Sequence, residues 1–121
     1  MDFTARDLQQ KCKEKGHPWE IAKAWDNSAP VSHAFLDVAT LPDRNSIKFE
    51  MTRNGEVVQQ GDSALMIYSF NAIICYASRF IRLQDGDYIF TGTPAGVGPV
   101  KRGDILVGSI EGHKMLECEI K

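Results

Sequence analysis

The chain lacks the features that mark nucleic-acid binding, membrane insertion or export. Its 121 residues carry a formal net charge of −2, so no surplus of positive charge predicts a nucleic-acid partner. The longest uncharged run, residues 63–78, includes polar residues and two tyrosines and is too short to cross a bilayer. Because Met1 is not followed by a basic stretch and then an apolar one, we predict no signal peptide.

Disulfide and metal-binding cysteine patterns are also missing. The three cysteines are widely separated, at positions 12, 75 and 118, and they form neither a metal-ligand spacing nor a disulfide framework. This pattern is typical of a reducing compartment, and we expect a cytoplasmic protein. A composition of 43% hydrophobic and 25% charged residues is ordinary for a single globular domain over residues 1–121.

Nucleotide-binding motifs are absent from the most glycine-rich part of the chain. Residues 91–99, called the glycine loop, hold three glycines and two prolines but neither a phosphate-binding Gly-Lys-Ser/Thr nor a complete dinucleotide fingerprint. The aromatic and β-branched residues before the loop predict a strand over residues 85–91. The composition of the loop has two explanations. It can form a tight corner without a ligand, or it can bind a small acidic ligand through backbone amides and hydroxyls, including that of Thr93. The loop alone favours the corner.

The rest of the chain predicts a mainly β domain of the α+β class with a few short helices. Thr4 as N-cap and Gly16 bound a first helix, and Pro18 can begin a second short helix over residues 18–25. Residues 46–53 alternate between apolar and polar side chains, and Asn54-Gly55 after them is a strong hairpin signal. The remaining expected elements are a strand at 56–60, a core helix at 64–80, and a second hairpin of strands 105–110 and 113–120 around Glu111-Gly112.

Two pairs of side chains on the predicted helices are candidates for function. Arg6 and Gln9 are three residues apart and share a helix face, which is by itself usually a solvated face. Trp19 and Lys23 are four apart, so the ammonium group would lie beside a large aromatic surface, although helical lysines are commonly solvated. Spacing alone assigns neither pair a role.

Four segments in order nevertheless carry a specific resemblance. They are residues 2–7 (DFTARD), 16–23 (GHPWEIAK), 26–28 (DNS) and 91–99 (TGTPAGVGP). The chain resembles the fumarylacetoacetate hydrolase family over essentially its whole length, most closely the branch of acylpyruvate hydrolases and oxaloacetate decarboxylases. The resemblance implies an α+β, mainly β fold, a mixed β-roll like the family's C-terminal domain. It also implies a homodimer, whereas the expectation of no nucleic-acid or membrane partner comes from the net charge and the short uncharged run.

The resemblance further implies a metal-dependent hydrolase or decarboxylase that cleaves a C–C bond in small 2-oxo acids. Acylpyruvates, fumarylpyruvate and oxaloacetate are substrates of this kind, and a Mg²⁺ or Mn²⁺ ion would stabilise the enolate. The matching positions assign Lys23 to the reacting centre and Asp2 to the metal. The positions implied to bind substrate are Arg6, Gln9 and Thr93.

The sequence departs from the family at its start. Family members carry a further N-terminal segment, and we expect two more carboxylate ligands for the metal from its Glu-x-Glu pair. We therefore expect a fragment or mis-started copy of a normal enzyme. The alternatives are a truncated, non-catalytic relative that acts as a binding or assembly module, or an enzyme whose missing segment comes from a separate polypeptide. Glu117-Cys118-Glu119 repeats the Glu-x-Glu pattern only superficially, because two outward carboxylates on an edge strand are common, and we do not expect metal there.

Overall fold

The computed structural model describes all residues from Met1 to Lys121. They form two compact units, residues 1–32 and residues 33–121. The expectation of one catalytic domain over the whole chain stays a prediction. None of the helices has the length and apolarity that crossing a bilayer requires.

The first unit consists of two helices and the segments that join them. Helix α1 spans Arg6–Lys15, preceded by Ala5 without a side-chain cap, so the prediction of Thr4 as the cap is wrong. Gly16 ends the helix in the left-handed conformation with φ of 64°, as predicted. Its N–H and that of His17 bond to carbonyls of the last turn, which completes a Schellman-type ending.

Helix α2 spans Glu20–Lys23 and is a single turn, shorter than the predicted 18–25. Ala22 on α2 is completely buried and Cys12 on α1 is 4% exposed. These two small side chains form the apolar centre of the first unit, and they allow the two helices to approach closely.

The second unit is built on a four-stranded antiparallel sheet in the order β2-β1-β3-β4. Its strands are β1 (Lys48–Arg53), β2 (Glu56–Asp62), β3 (Ile105–Ile110) and β4 (His113–Glu119). Leu106, on the central strand β3, is its most buried large side chain at 2% exposure. The predicted α+β class, with a sheet and a few short helices, is confirmed.

Both predicted hairpins form, and both use two-residue turns with positive φ. Asn54 and Gly55 have φ of 54° and 85°, and Glu111 and Gly112 have φ of 49° and 77°. Such turns match the twist of the strands that they join. Local turn chemistry therefore determines the register at the end of each hairpin.

The turn of the first hairpin also forms hydrogen bonds to the start of the second hairpin. Asn54 donates from its side-chain amide to Asp104 at 2.9 Å and accepts from the Ile105 N–H at 2.9 Å. The Lys101 N–H donates to the other oxygen of Asp104 at 2.8 Å. The Asn54 bond, followed by the Lys101 bond, lowers the pKa of Asp104 below its usual value.

The predicted helix at residues 64–80 is largely wrong. The structure has a 3₁₀ turn at Ser63–Leu65 and then helix α3 at Phe70–Ala77. The Ser69 hydroxyl accepts from the Ala72 N–H and begins α3. None of the α3 residues is buried, so the apolar run does not form a core helix in this chain.

Asp62 begins the 3₁₀ turn. Its carboxylate accepts hydrogen bonds from the Ala64 N–H and the Ser46 hydroxyl. These two bonds lower the pKa of Asp62 below its usual value. The end of β2 is thereby connected to the segment that precedes β1.

The strand predicted for residues 85–91 is also wrong. Asp85 and Gly86 form a turn, and residues 87–91 have no regular secondary structure. Aromatic and β-branched residues favour extended backbone, but a strand exists only where a neighbouring strand accepts its hydrogen bonds. All pairing in the sheet is between β1, β2, β3 and β4.

Candidate substrate site

The first unit brings together Asp2 and Lys23, which are 21 residues apart in the chain. The Lys23 ammonium donates to both carboxylate oxygens of Asp2, at 2.9 and 3.0 Å. The side chain of Asp2 is 45% exposed and that of Lys23 is 37% exposed. An ion pair in this position contributes little to stability, but it places an ammonium and a carboxylate side by side at an accessible surface.

Backbone hydrogen bonds hold the segment that carries Asp2. The Phe3 N–H donates to the Ser28 carbonyl at 2.8 Å, and the Ala5 N–H donates to the Ala22 carbonyl at 3.0 Å. The second of these bonds joins the residues immediately before Arg6 and Lys23. The chain path thus sets the start of α1 against the end of α2.

Arg6 and Gln9 also lie together. Arg6 Nη1 donates to Gln9 Oε1 at 3.0 Å, and Gln9 is only 7% exposed. The spacing alone favours a solvated helix face, and this prediction is wrong for Gln9, whose side chain is buried. Arg6 remains exposed, so its guanidinium keeps further donors for a carboxylate.

Trp19, the aromatic side chain predicted to lie beside Lys23, contacts a different lysine. Trp19 precedes α2, and the ammonium over its ring, 5.0 Å from the ring centre, is that of Lys13. Trp19 and Lys23 instead line the same open depression with His17, Pro18 and Glu20. Lys23 is consequently accessible from this side of the first unit.

The glycine loop belongs to the second unit and packs on strand β2. Gly96 has φ of +103°, and a Cβ atom there would lie 2.7 Å from the Val58 carbonyl oxygen and 3.2 Å from Gln59 Cα. Only glycine permits both this conformation and this approach of two backbones. The loop is therefore a closely packed segment, as its composition predicts.

Two side chains from the first hairpin bind the loop. Gln59 Nε2 donates to Thr93 Oγ1 at 2.8 Å and to the Pro94 carbonyl at 3.2 Å. Arg53 Nη1 donates to the Pro99 carbonyl at 2.7 Å. Neither residue could be found from the sequence, because neither lies in a recognisable motif and their partners are 34 to 46 residues away.

The residues of this chain do not by themselves fit a magnesium or manganese ion. Asp2 is one carboxylate, both of its oxygens face the Lys23 ammonium, and no group of three His, Cys, Asp or Glu side chains comes together in the chain. Mg²⁺ requires a near-octahedral set of oxygen ligands and retains its waters otherwise. A metal at Asp2 would need further ligands that the described residues do not bring there.

A family model described as fumarylacetoacetate (FAA) hydrolase C-terminal matches residues 1–121. The chain belongs to the fumarylacetoacetate hydrolase family. The family resemblance inferred from the four segments is thus confirmed over the whole chain.

Relatives in the fumarylacetoacetate hydrolase family include two named oxaloacetate tautomerases. The mitochondrial oxaloacetate tautomerase FAHD1 of Homo sapiens is 47% identical over 112 residues, which cover 93% of this chain and 50% of that protein. The oxaloacetate tautomerase YcgM of Escherichia coli (strain K12) is 44% identical over 116 residues, which cover 95% and 52%. The chain spans about half the length of the curated relatives it matches.

A solved relative has the same fold. The fumarylpyruvate hydrolase from Pseudomonas aeruginosa, in complex with Mn²⁺ and pyruvate, superposes with a TM-score of 0.86 at 38% identity. The match covers 97% of this chain and 50% of that chain. The fold predicted from the family resemblance is therefore confirmed.

The five predicted site residues fall into both units. Asp2 and Lys23 are in direct contact, as are Arg6 and Gln9, whereas Thr93 lies in the second unit. The roles assigned to them stay predictions. Glu117 and Glu119 are exposed on the edge strand β4, and Glu117 pairs with Lys114 at 2.6 Å, in agreement with an outward, solvated arrangement.

Proposed function

We propose that this chain takes part in enolate chemistry on small 2-oxo acids such as oxaloacetate, acylpyruvates or fumarylpyruvate. Tautomerisation, decarboxylation and hydrolytic C–C cleavage next to a 2-oxo group all develop negative charge on the same oxygen. The family relatives named for oxaloacetate tautomerisation and for fumarylpyruvate hydrolysis share this requirement.

The observation that supports the proposal most strongly is the placement of the Lys23 ammonium. It is held by Asp2 at the accessible end of α2, and it has three N–H donors. At least one donor remains for a ligand oxygen when two point at Asp2. An ammonium held in place before the reaction stabilises a developing enolate without reorganisation.

Two residues, one in each unit, are candidates for binding a substrate carboxylate, and each is argued from its own surroundings. One N–H group of the Arg6 guanidinium donates to Gln9, and its other N–H groups remain in a planar arrangement that can bind a carboxylate. Thr93 is exposed on the glycine loop and offers a hydroxyl. Binding the carboxylate at a fixed point orients the neighbouring 2-oxo group.

A divalent metal is part of the proposal, with Asp2 as one ligand. The Mn²⁺ in the solved fumarylpyruvate hydrolase supports the presence of a divalent metal, and Asp2 is proposed as a ligand from the family resemblance. A bound metal would polarise the 2-oxo oxygen. Because no group of three His, Cys, Asp or Glu side chains comes together in the chain, the roles given above to Lys23, Arg6 and Thr93 involve no step through the ion.

Turnover of oxaloacetate tests the proposal. The decay of the enol absorbance and the release of CO₂ are followed with and without Mn²⁺, for the wild type, Lys23→Met and the control Lys11→Met, an exposed lysine on α1. We expect Lys23→Met to lower kcat by about 10²-fold or more, as loss of a preorganised donor does, and Lys11→Met to match the wild type. Equal rates for all three would contradict the role of Lys23.

The alternative is a non-catalytic module that binds 2-oxo acids. Calorimetric titration with oxalate, with and without Mg²⁺, distinguishes the two functions. Oxalate binding in a folded protein without turnover would support the module. Turnover that depends on Lys23 would exclude it.

We also propose a cytoplasmic homodimer, although the human relative is named as mitochondrial. Large apolar side chains around α3 are strongly exposed, among them Leu65, Ile67 and Phe80 at 84%, 92% and 70%. A patch of this kind is typical of a surface that another protein covers. Light scattering coupled to size-exclusion chromatography measures the oligomeric state directly.

A further inference from the structure

We propose that Gln59 is a positioning residue for the carboxylate-binding site, acting through Thr93. The inference rests on the proposed function, since it takes Thr93 to bind the substrate carboxylate. It concerns a residue on strand β2 that carries no recognisable motif. The supporting observations all lie within the second unit.

The orientation of the Gln59 amide follows from its partners. Its nitrogen lies 3.2 Å from the Pro94 carbonyl and 2.8 Å from Thr93 Oγ1. A backbone carbonyl only accepts hydrogen bonds, so the amide must turn its NH₂ group, and not its oxygen, towards the loop. The Thr93 oxygen consequently accepts from Gln59.

This arrangement sets the direction of the Thr93 hydroxyl proton. A hydroxyl has one proton and two lone pairs, and one lone pair is occupied by Gln59. The proton therefore points away from Gln59, free to be donated to another acceptor. Accepting one hydrogen bond also strengthens the bond that the same hydroxyl donates. Gln59 thus presents Thr93 as a donor for an anionic oxygen.

The backbone of β2 fixes the starting point of the Gln59 side chain. In the pairing with β1, Met51 faces Gln59 and Thr52 faces Val57, so Val58 is an extra residue in a β-bulge. Bulges redirect neighbouring side chains. The glycine loop packs on this bulge, because the space beside Gly96 is filled by the Val58 carbonyl and Gln59 Cα.

Gln60 offers a matched control on the same strand. Its amide is exposed and donates to Glu50 at 2.8 Å, not to the glycine loop. Replacing Gln59 or Gln60 by leucine removes one amide in each case and keeps a side chain of similar size. Thr93→Val and the double variant with Gln59→Leu complete the set.

Two measurements on the full chain decide the proposal. Hydrogen–deuterium exchange of the peptide covering residues 91–98 reports whether Gln59 holds the loop, and calorimetric titration with oxalate reports carboxylate binding. We expect Gln59→Leu to raise loop exchange and the oxalate Kd about tenfold each, as expected for the loss of one to two neutral hydrogen bonds. Gln60→Leu should change neither. In the Thr93→Val background, Gln59→Leu should change the oxalate Kd by less than about twofold, because the hydroxyl through which Gln59 acts on the ligand is absent.

The outcomes separate this inference from the proposed function. Unchanged loop exchange in Gln59→Leu would overturn the positioning role, whatever the ligand does. Increased exchange with an unchanged Kd, or an equal loss of affinity in both backgrounds, would overturn the action through Thr93. A wild type that binds no oxalate at all would refute the proposed function and the carboxylate part of the inference, while the exchange measurement would still decide whether Gln59 holds the loop.

Discussion

Replacing Gly96 by alanine tests whether the glycine loop is held by backbone packing on β2. The added Cβ would lie 2.7 Å from the Val58 carbonyl oxygen and 3.2 Å from Gln59 Cα. Both atoms belong to the main chain of a paired strand, so neither can move away as a flexible side chain would. Gly98, two residues further along, has no atom within 4 Å of the same position and is the control.

The expected cost has two parts. The φ of +103° at Gly96 is unfavourable for alanine by about 1–3 kcal/mol, and crowding a packed contact adds about 1–3 kcal/mol. Partial relaxation of the loop leaves roughly 2–4 kcal/mol, which is about 8–16 °C in melting temperature for a chain of this length. Gly98→Ala should remain within about 1 kcal/mol of the wild type.

Thermal and urea unfolding followed by circular dichroism measure the difference, and hydrogen exchange of residues 91–98 localises it. A loop that leaves β2 would exchange faster and would also release Thr93 from Gln59. If Gly96→Ala and Gly98→Ala have the same melting temperature and the same loop exchange, the close contact between loop and strand does not exist in solution.

The remaining predictions concern the sheet. Leu106→Ala should destabilise the fold by about 2–5 kcal/mol, because it empties a buried site. Ile105→Ala, at a side chain 45% exposed, should destabilise it clearly less. Urea unfolding midpoints compare the two variants, and an equal loss of stability in both would refute the placement of the core. For Asp104, the bonds from Asn54 and Lys101 lower the folded-state pKa. Its stabilising contribution is therefore complete above the unfolded-state pKa of about 3.9 and is lost as the pH falls through the folded-state value. Asp104→Asn should flatten the decline of the urea midpoint below about pH 4, and an unchanged pH dependence would show that these bonds do not form.

Features that depend on a few neighbouring residues could be predicted from the sequence. The turns Asn54-Gly55 and Glu111-Gly112 and the helix end at Gly16 all require positive φ, which glycine and asparagine adopt at low cost. Their positions hold whatever the rest of the chain does. The family could likewise be inferred, because four motifs occur in order along the chain.

Features that need a distant partner could not be predicted. Residues 88–90 have the composition of a strand, but the structure provides no neighbouring strand to pair with them. The apolar run at residues 64–80 is divided by a 3₁₀ turn capped by Asp62 and a helix that begins at Ser69. Short polar side chains that bond to nearby N–H groups end regular structure even within an apolar run.

The turns, the helix end, the residue types of the candidate site and the family can all be read from the order of the amino acids. The three-dimensional arrangement is needed to show that Lys23 bonds to Asp2, that Lys13 and not Lys23 lies over Trp19, and that Gln59 bonds to Thr93. The difference follows from the distance along the chain over which each interaction acts. Backbone preferences act over a few residues, whereas hydrogen bonds between residues 21 or 34 positions apart form only after the path of the chain has brought their atoms within 3 Å.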